Sequence, residues 1–220
     1  MARAENVAKC PPAAATSDLR HTKDAIDFSV CNTVDTFASL ETGSMACIYL
    51  IRHASPDRSR TDISYDVPPG PGLDAQGERE ASLLGEFLRG ARVGRMYAST
   101  FERAWRTATI AAAPLGLSVL AEPMIGEWRA DERARDVAAR VEPVLARAGD
   151  ESVEAGIVCL VSHGGPIAVM LRKLGMPRVE VDGHRQRYGG LTPLPTAAVW
   201  RAVGDGGAAA WRFDLVFTPA

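Results

Sequence analysis

Lysine is nearly missing from this chain. Lys9, Lys23 and Lys173 are the only three, so 22 of the 25 basic residues are arginine. Arginine's planar, permanently charged fork suits oxyanions, so its dominance directs attention to anionic ligands. Long apolar runs are absent too. None approaches the roughly 18 residues that a membrane helix needs, so the chain is not expected to cross a bilayer. Excess charge is also lacking: 25 basic and 27 acidic residues leave −2, with no overall field to hold nucleic acid or an anionic membrane. The four cysteines, Cys10, Cys31, Cys47 and Cys159, are scattered, and no C-x-x-C pair exists. That argues against a disulfide framework or a zinc site. Cys47 and Cys159 sit in apolar runs and read as reduced buried thiols, which suits a cytoplasmic address. There is no G-x-x-x-x-G-K-[ST] loop and no Asp/Glu/His group at metal-ligand spacing. A P-loop nucleotide site and metal-assisted hydrolysis are therefore not suggested, and no metal or cofactor is expected.

What is present is an ordinary globular composition, 46% hydrophobic and 24% charged over 220 residues, enough for one sizeable domain and a tail. Residues 1–44 hold Pro11-Pro12, an alanine run and many Ser and Thr. They carry four basic and six acidic residues, and hence the whole net charge. They contain no strand-like run and lack the apolar core of a signal peptide, so they read as a poorly ordered extension. Met45 stands directly before the first strong strand, as a start codon assigned too far upstream would leave it. Residues 45–220 are expected to form the functional domain.

From Met45 the pattern alternates. Strands are expected at 47–51, 93–99, 117–121 and 156–161, and helices at 75–89, 101–113, 131–148 and 165–174. Asp74 is placed to cap the first helix. Residues 178–196 read as loop. Strands at 197–203 and 210–217 flank Gly204-Asp205-Gly206-Gly207 as a hairpin. Strands alternating with helices imply an α/β three-layer sandwich, a mostly parallel central sheet covered on both faces.

In such a sheet ligands bind beyond the carboxyl ends of the strands. The first strand ends in Arg52-His53-Ala54-Ser55, and the strand at 156–161 ends in Ser162-His163-Gly164-Gly165-Pro166. Two of the four histidines therefore follow buried strands. Arg103 stands at a third strand-to-helix junction. Two guanidiniums beside the N-terminus of the helix at Gly165 make a donor-rich cradle for a phosphate dianion. Within it, a neutral imidazole is the natural nucleophile.

Four segments carry a family resemblance: Ile48-Tyr-Leu-Ile-Arg-His-Ala54, Leu73-Asp-Ala-Gln-Gly77-Glu-Arg-Glu-Ala81, Ser99-Thr-Phe-Glu-Arg103-Ala-Trp-Arg-Thr107-Ala108, and Ser162-His163-Gly164-Gly165. In this order they resemble the motifs of the histidine phosphatase superfamily, with its phosphoglycerate-mutase-like fold. The family's Arg-His-Gly is Arg52-His53-Ala54 here. The resemblance implies that His53 attacks phosphorus and carries a transient phosphohistidine. It implies that Arg52, Arg103 and His163 hold the phosphoryl oxygens, and that a carboxylate after the third strand is the general acid. Glu127 aligns best with that acid; Glu122 is its rival and Asp131 a remoter one. Ser59, six residues after His53, stands where the family often has Asn and is expected to donate its hydroxyl to the phosphate.

Only 36 positions separate Glu127 from His163, and the family's glycine-rich continuation after the acid is missing. Mutases carry a longer insertion there. The resemblance therefore implies a compact phosphatase acting on a small phosphorylated metabolite or a phosphoprotein. The alternatives are mutase-type phosphoryl transfer and a catalytically weak phospho-ligand-binding module. Arg58, Arg60, Arg106 and His184 could also meet an anionic substrate, although exposed surface cations are the simpler reading. Trp105 and Trp128 read as packing. No motif decides the oligomeric state.

Overall fold

The computed structural model describes residues 45–204 and 211–219. The expected extension at 1–44 and the hairpin tip at 205–207 lie outside them.

The first apolar run forms β1 (Ala46–Arg52), followed by α1 (Ala75–Arg89), β2 (Val93–Ala98), α2 (Glu102–Ala112) and β3 (Val119–Ala121). Then come α3 (Ala134–Ala155), β4 (Ile157–Ser162), α4 (Gly164–Lys173), α5 (Arg178–Arg187), β5 (Val199–Gly204) and β6 (Arg212–Phe217). Asp74 caps α1 as expected, its carboxylate accepting the Gly77 N–H at 2.7 Å.

The six strands form one sheet in the order β3-β2-β4-β1-β5-β6. β3, β2, β4 and β1 run parallel, while β5 and β6 are antiparallel additions. Alternation along β1 sorts the two cores. Ile48 and Leu50 point to the face covered by α3, α4 and α5, and Tyr49 and Ile51 to the face covered by α1 and α2. Both faces are apolar because both are covered, so β1 and β4 read as near-continuous hydrophobic runs. The result is a three-layer α/β fold, as the alternation of elements implies. No helix among the described residues is long and apolar enough to cross a membrane.

Two elements differ from the sequence expectation. α3 continues to Ala155 rather than stopping near 148, because Ala148, Gly149 and Ser152 keep facing the core. Ser152 Oγ also accepts the Cys47 N–H at 2.9 Å, tying the helix end to β1. The larger difference is α5, in a stretch expected to be loop. Val181 is its only buried residue, so it carries no apolar stripe to announce a helix. Its cues are electrostatic: Glu180 in the first turn, and His184, Arg185 and Arg187 in the last, complement the helix dipole.

Candidate active site

β1 and β4 are parallel neighbours in register, with Arg52 opposite Ser162. The next residue on each is a histidine, so backbone pairing alone sets His53 beside His163 at the carboxyl edge. Their ring centroids are 5.2 Å apart and their planes are inclined by 57°. β2 lies on the other side of β4, and Ser99 N–H continues that ladder to Val161 O at 3.0 Å. Arg103 follows one turn later on α2. β3 leads through Glu122 and a 3₁₀ turn, Pro123–Ile125, to Glu127. Four parallel strands thus deliver their ends to one place.

The site is deeply set: His53 is 1% exposed, His163 and Arg103 0%. His53 Nδ1 lies 2.8 Å from Ala54 O. A carbonyl can only accept, so Nδ1 carries the proton and Nε2 keeps its lone pair. Burial, then His163, Arg103 and Arg52, push the His53 imidazole well below its ordinary range. It is neutral at physiological pH. His163 is also held below its usual value, mainly by burial, with Glu127 pulling the other way. His163 Nε2 lies 2.9 Å from Ser99 Oγ, which also accepts the Phe101 N–H at 3.3 Å. The Ser99 hydroxyl can then donate to Nε2. That leaves the ring proton on Nδ1, which faces Glu127 Oε2 at 3.4 Å.

Glu127 joins this group. Its Oε2 accepts from Arg103 Nη2 at 3.1 Å, and its Oε1 from Trp128 N–H at 2.9 Å. Burial alone would raise its carboxyl. His163, the Trp128 N–H and the Arg103 guanidinium outweigh burial and hold it down to about 2. Arg103 is fixed from several sides. Its Nη1 donates to Tyr65 O at 3.0 Å, and its guanidinium lies 4.1 Å from the Tyr65 ring centre and 4.7 Å from that of Phe101. Gly70 accommodates it: φ is +65°, and a Cβ there would come within 2.8 Å of Arg103 Nη1. Arg52 Nη1 donates to Thr192 Oγ1 and Leu194 O, both at 3.0 Å.

Arg52 Nε and Arg103 Nε are buried without a hydrogen-bond partner. Buried donors beside the two imidazoles are suited to an incoming acceptor. His53, Glu127 and His163 offer ligand-type atoms within 4.8 Å of one another, the one group among the described residues that could hold a metal ion. Two guanidiniums at the same spot oppose a dication and favour an oxyanion.

The remaining sequence-derived residues sort as follows. Glu122 caps the 3₁₀ turn through Met124 N–H at 3.1 Å and pairs with Arg147, away from the imidazoles. Asp131 is exposed, 3.9 Å from Arg129. Ser59 is exposed and donates its hydroxyl to Asp57 Oδ1 at 2.6 Å, so a phosphate contact from it requires that bond to break. Arg60 pairs with Asp62, Arg106 with Glu78, and His184 packs edge-on against Trp200. Arg58 lies 5.0 Å from the Tyr65 ring centre, and Trp105 and Trp128 pack against the two cores. Gly164 and Gly165 make room for side chains. A Cβ on Gly164 would lie 2.2 Å from Thr192 Cγ2, and one on Gly165 3.3 Å from Trp128.

Several supporting residues escaped the sequence reading. Thr107 Oγ1 accepts the Ala54 N–H at 2.9 Å and donates to Arg103 O at 2.6 Å, linking the two motifs. Buried Glu80 accepts from Ser55 N–H and Ser55 Oγ at 2.8 and 2.9 Å. Gly77 brings α1 against that turn, since a Cβ there would lie 2.1 Å from Ser55 O. The places of Gly77 and Thr107 in motif-like segments were the available signal for these two; Thr192 and Tyr65 had none.

Comparison with solved structures gives the same fold. The chain is similar to a mycobacterial glucosyl-3-phosphoglycerate phosphatase complexed with VO3, at TM-score 0.63 and 22% identity, covering 80% of this chain and 100% of that one. It is similar to phosphoglycerate mutase from Bacillus anthracis, at TM-score 0.61 and 14% identity, covering 79% and 93%. A putative alpha-ribazole-5'-P phosphatase from Escherichia coli K-12 matches at TM-score 0.57 and 19% identity, covering 77% and 96%. No curated protein sequence matches. The family model described as histidine phosphatase superfamily (branch 1) matches residues 48–133 and 127–198, which span the whole cluster from Arg52 to Thr192. The chain belongs to the histidine phosphatase superfamily, branch 1.

Proposed function

We propose that the protein is a metal-independent phosphomonoester hydrolase that works through a phosphohistidine on His53. The observation that carries this reading is the pair of buried imidazoles 5.2 Å apart, with the His53 proton confined to Nδ1. Nε2 is then free to attack phosphorus in line with the leaving oxygen. Arg52, Arg103 and His163 hold the phosphoryl oxygens and balance the charge that spreads over them.

Glu127 delivers a proton to the departing alkoxide as the P–O bond breaks. Its carboxylate then takes a proton from water, whose oxygen attacks phosphorus. The P–Nε2 bond breaks, inorganic phosphate leaves and His53 is restored. Before substrate arrives Glu127 is paired with Arg103 and ionised. An arriving phosphate competes for Arg103 and sets negative charge beside Glu127. Both changes raise the carboxyl's proton affinity, so Glu127 takes up the proton that the substrate monoanion brings and holds it for the leaving oxygen.

The link from Glu127 into α3 is short and carries no inserted element, which favours hydrolysis over mutase chemistry. The substrate class is a small phosphorylated metabolite or a phosphoprotein. The free thiols Cys47 and Cys159 suit a reducing cytoplasm. The test is rapid quench with a phosphomonoester in EDTA followed by peptide mass spectrometry. An acid-labile phosphoryl group on the His53 peptide, lost in His53→Ala together with turnover, is the expected result. Turnover by His53→Ala at more than about a thousandth of the parent rate contradicts the assignment.

A further inference from the structure

Glu127 lies in an irregular stretch. Residues 126–133, between the 3₁₀ turn and α3, form no helix or strand. No ladder of backbone bonds holds the carboxylate in place, and the glycine-rich continuation usual after the family's acid is absent. One side chain from α3 spans the gap. Arg140 donates from Nε to Glu132 Oε1 at 2.7 Å and from Nη2 to Glu132 Oε2 at 3.1 Å. The same Nη2 reaches Glu127 O at 3.1 Å, and Nη1 donates to Met124 O. Glu132 in turn accepts the Arg129 N–H at 2.9 Å, and its carbonyl accepts from Trp128 Nε1 at 2.9 Å. The side chains of Glu132 and Arg140 are 4% and 12% exposed, so water competes little for these bonds.

We propose that the Arg140–Glu132 pair is the positioning device for the general acid: a guanidinium fork on α3 that fixes both sides of the Glu127 loop in the geometry needed for proton transfer. The proposal rests on the reading of Glu127 as that acid. Arg140 bonds to the carbonyls of Met124 and Glu127 and to the carboxylate of Glu132. It thereby spans the segment on which Glu127 sits. A planar fork can hold a carboxylate and two carbonyls together, whereas an ammonium cannot reproduce that pattern. Proton transfer is steep in distance, so an ångström of drift at the Glu127 carboxylate would cost rate while leaving the phosphate cradle intact. Arg103 and His163 touch Glu127, but Arg52, Arg103 and His163 each keep an anchor apart from it, at Thr192, Tyr65 and Ser99.

The experiment compares two substrates of opposite demand. Glycerol 2-phosphate has a poor leaving group and needs the acid, while 4-nitrophenyl phosphate needs it little. Parent, Arg140→Gln, Arg140→Lys, Glu132→Gln, Glu127→Gln and the Arg140→Gln/Glu127→Gln double variant are assayed for kcat/KM on both, which reports phosphoryl transfer to His53 and not the hydrolysis step that the two substrates share. Inhibition by inorganic phosphate and thermal midpoint are measured alongside. In Arg140→Gln the expected loss of kcat/KM is roughly 10- to 100-fold on the alkyl ester and under about threefold on the aryl ester, with phosphate inhibition unchanged. Arg140→Lys falls between parent and Arg140→Gln. The double variant is no slower on the alkyl ester than Glu127→Gln alone, because an absent acid cannot be misplaced.

Equal losses on both substrates mean a merely structural role and overturn the proposal, as does an alkyl-ester rate within twofold of the parent. If Arg140→Gln does not fold, Glu132→Gln, which keeps the volume and removes half of the ion pair, decides by the same criteria. If Glu127→Gln itself leaves alkyl-ester hydrolysis intact, the reading of Glu127 as the acid falls and the proposal with it. A sensitive Glu127→Gln beside a silent Arg140→Gln overturns the positioning role alone.

Discussion

The two halves of the site are built by different means. The imidazole half is made by backbone: β1 and β4 pair in register, and His53 and His163 are simply the next residues along. The carboxylate half is made by side chains, with Arg103, Arg140 and Glu132 holding a stretch that has no regular structure. Errors in the first are suppressed by a whole sheet, and errors in the second by a few polar contacts. The nucleophile should therefore be mechanically stiff and the proton donor tunable.

Substitutions can break or sharpen that contrast. The largest effect beyond the nucleophile itself is expected at Arg103, which belongs to both halves. Arg103→Ala removes the proposed phosphate ligand and the Glu127 partner together, and should lower kcat/KM by about 10²- to 10³-fold in steady-state assays of both aryl and alkyl esters. An effect confined to alkyl esters would show that Arg103 serves only the acid.

Next in size is the pH dependence of kcat/KM. His53 is held neutral well below its ordinary range, so protonation of the nucleophile should cause no loss as pH falls through 6.5. Glu127 is ionised in the free enzyme, so the transferred proton must arrive with the substrate. Activity should therefore decline as pH rises through about 6, where a phosphomonoester loses its second proton. A profile from pH 4 to 9 that instead climbs through an imidazole-like midpoint would contradict the depressed His53 value.

A smaller change is expected at the anchor of Arg52. Thr192→Val removes one acceptor and keeps the shape that fills the space beside Gly164. KM should rise by roughly five- to tenfold with kcat nearly unchanged, about 1 kcal/mol of ground-state binding. The least effect belongs to Glu122→Gln, which touches only the 3₁₀ turn and Arg147. Alkyl-ester kcat should stay within about twofold, and the partly exposed pair should cost at most about 1 kcal/mol in a denaturation measurement.

The same contrast governs what could be read from the residues. Strand-end motifs report backbone geometry, and backbone geometry follows local pattern. The two histidines, Arg52, the α1 and α2 starts and the Asp74 cap were therefore legible. Glu127 was distinguishable from Glu122 only by motif spacing, since either follows β3 and their fates depend on Arg103 and Arg147 from distant helices. Tyr65, Thr192 and Arg140 left no trace, because their partners are decided by tertiary approach. α5 was missed for a related reason: with Val181 its only buried residue, it is specified by end charges and docking rather than by an apolar stripe.

The packing around Arg103 has an entropic consequence. A free arginine side chain carries about 2 kcal/mol of rotational freedom that must be surrendered to grip an anion. Here the Tyr65 and Phe101 rings and the Tyr65 carbonyl immobilise the guanidinium within the fold itself, so that freedom is lost during folding. An incoming oxyanion meets a fork already frozen in orientation, and more of its contact energy remains to pull the phosphoryl group toward reaction.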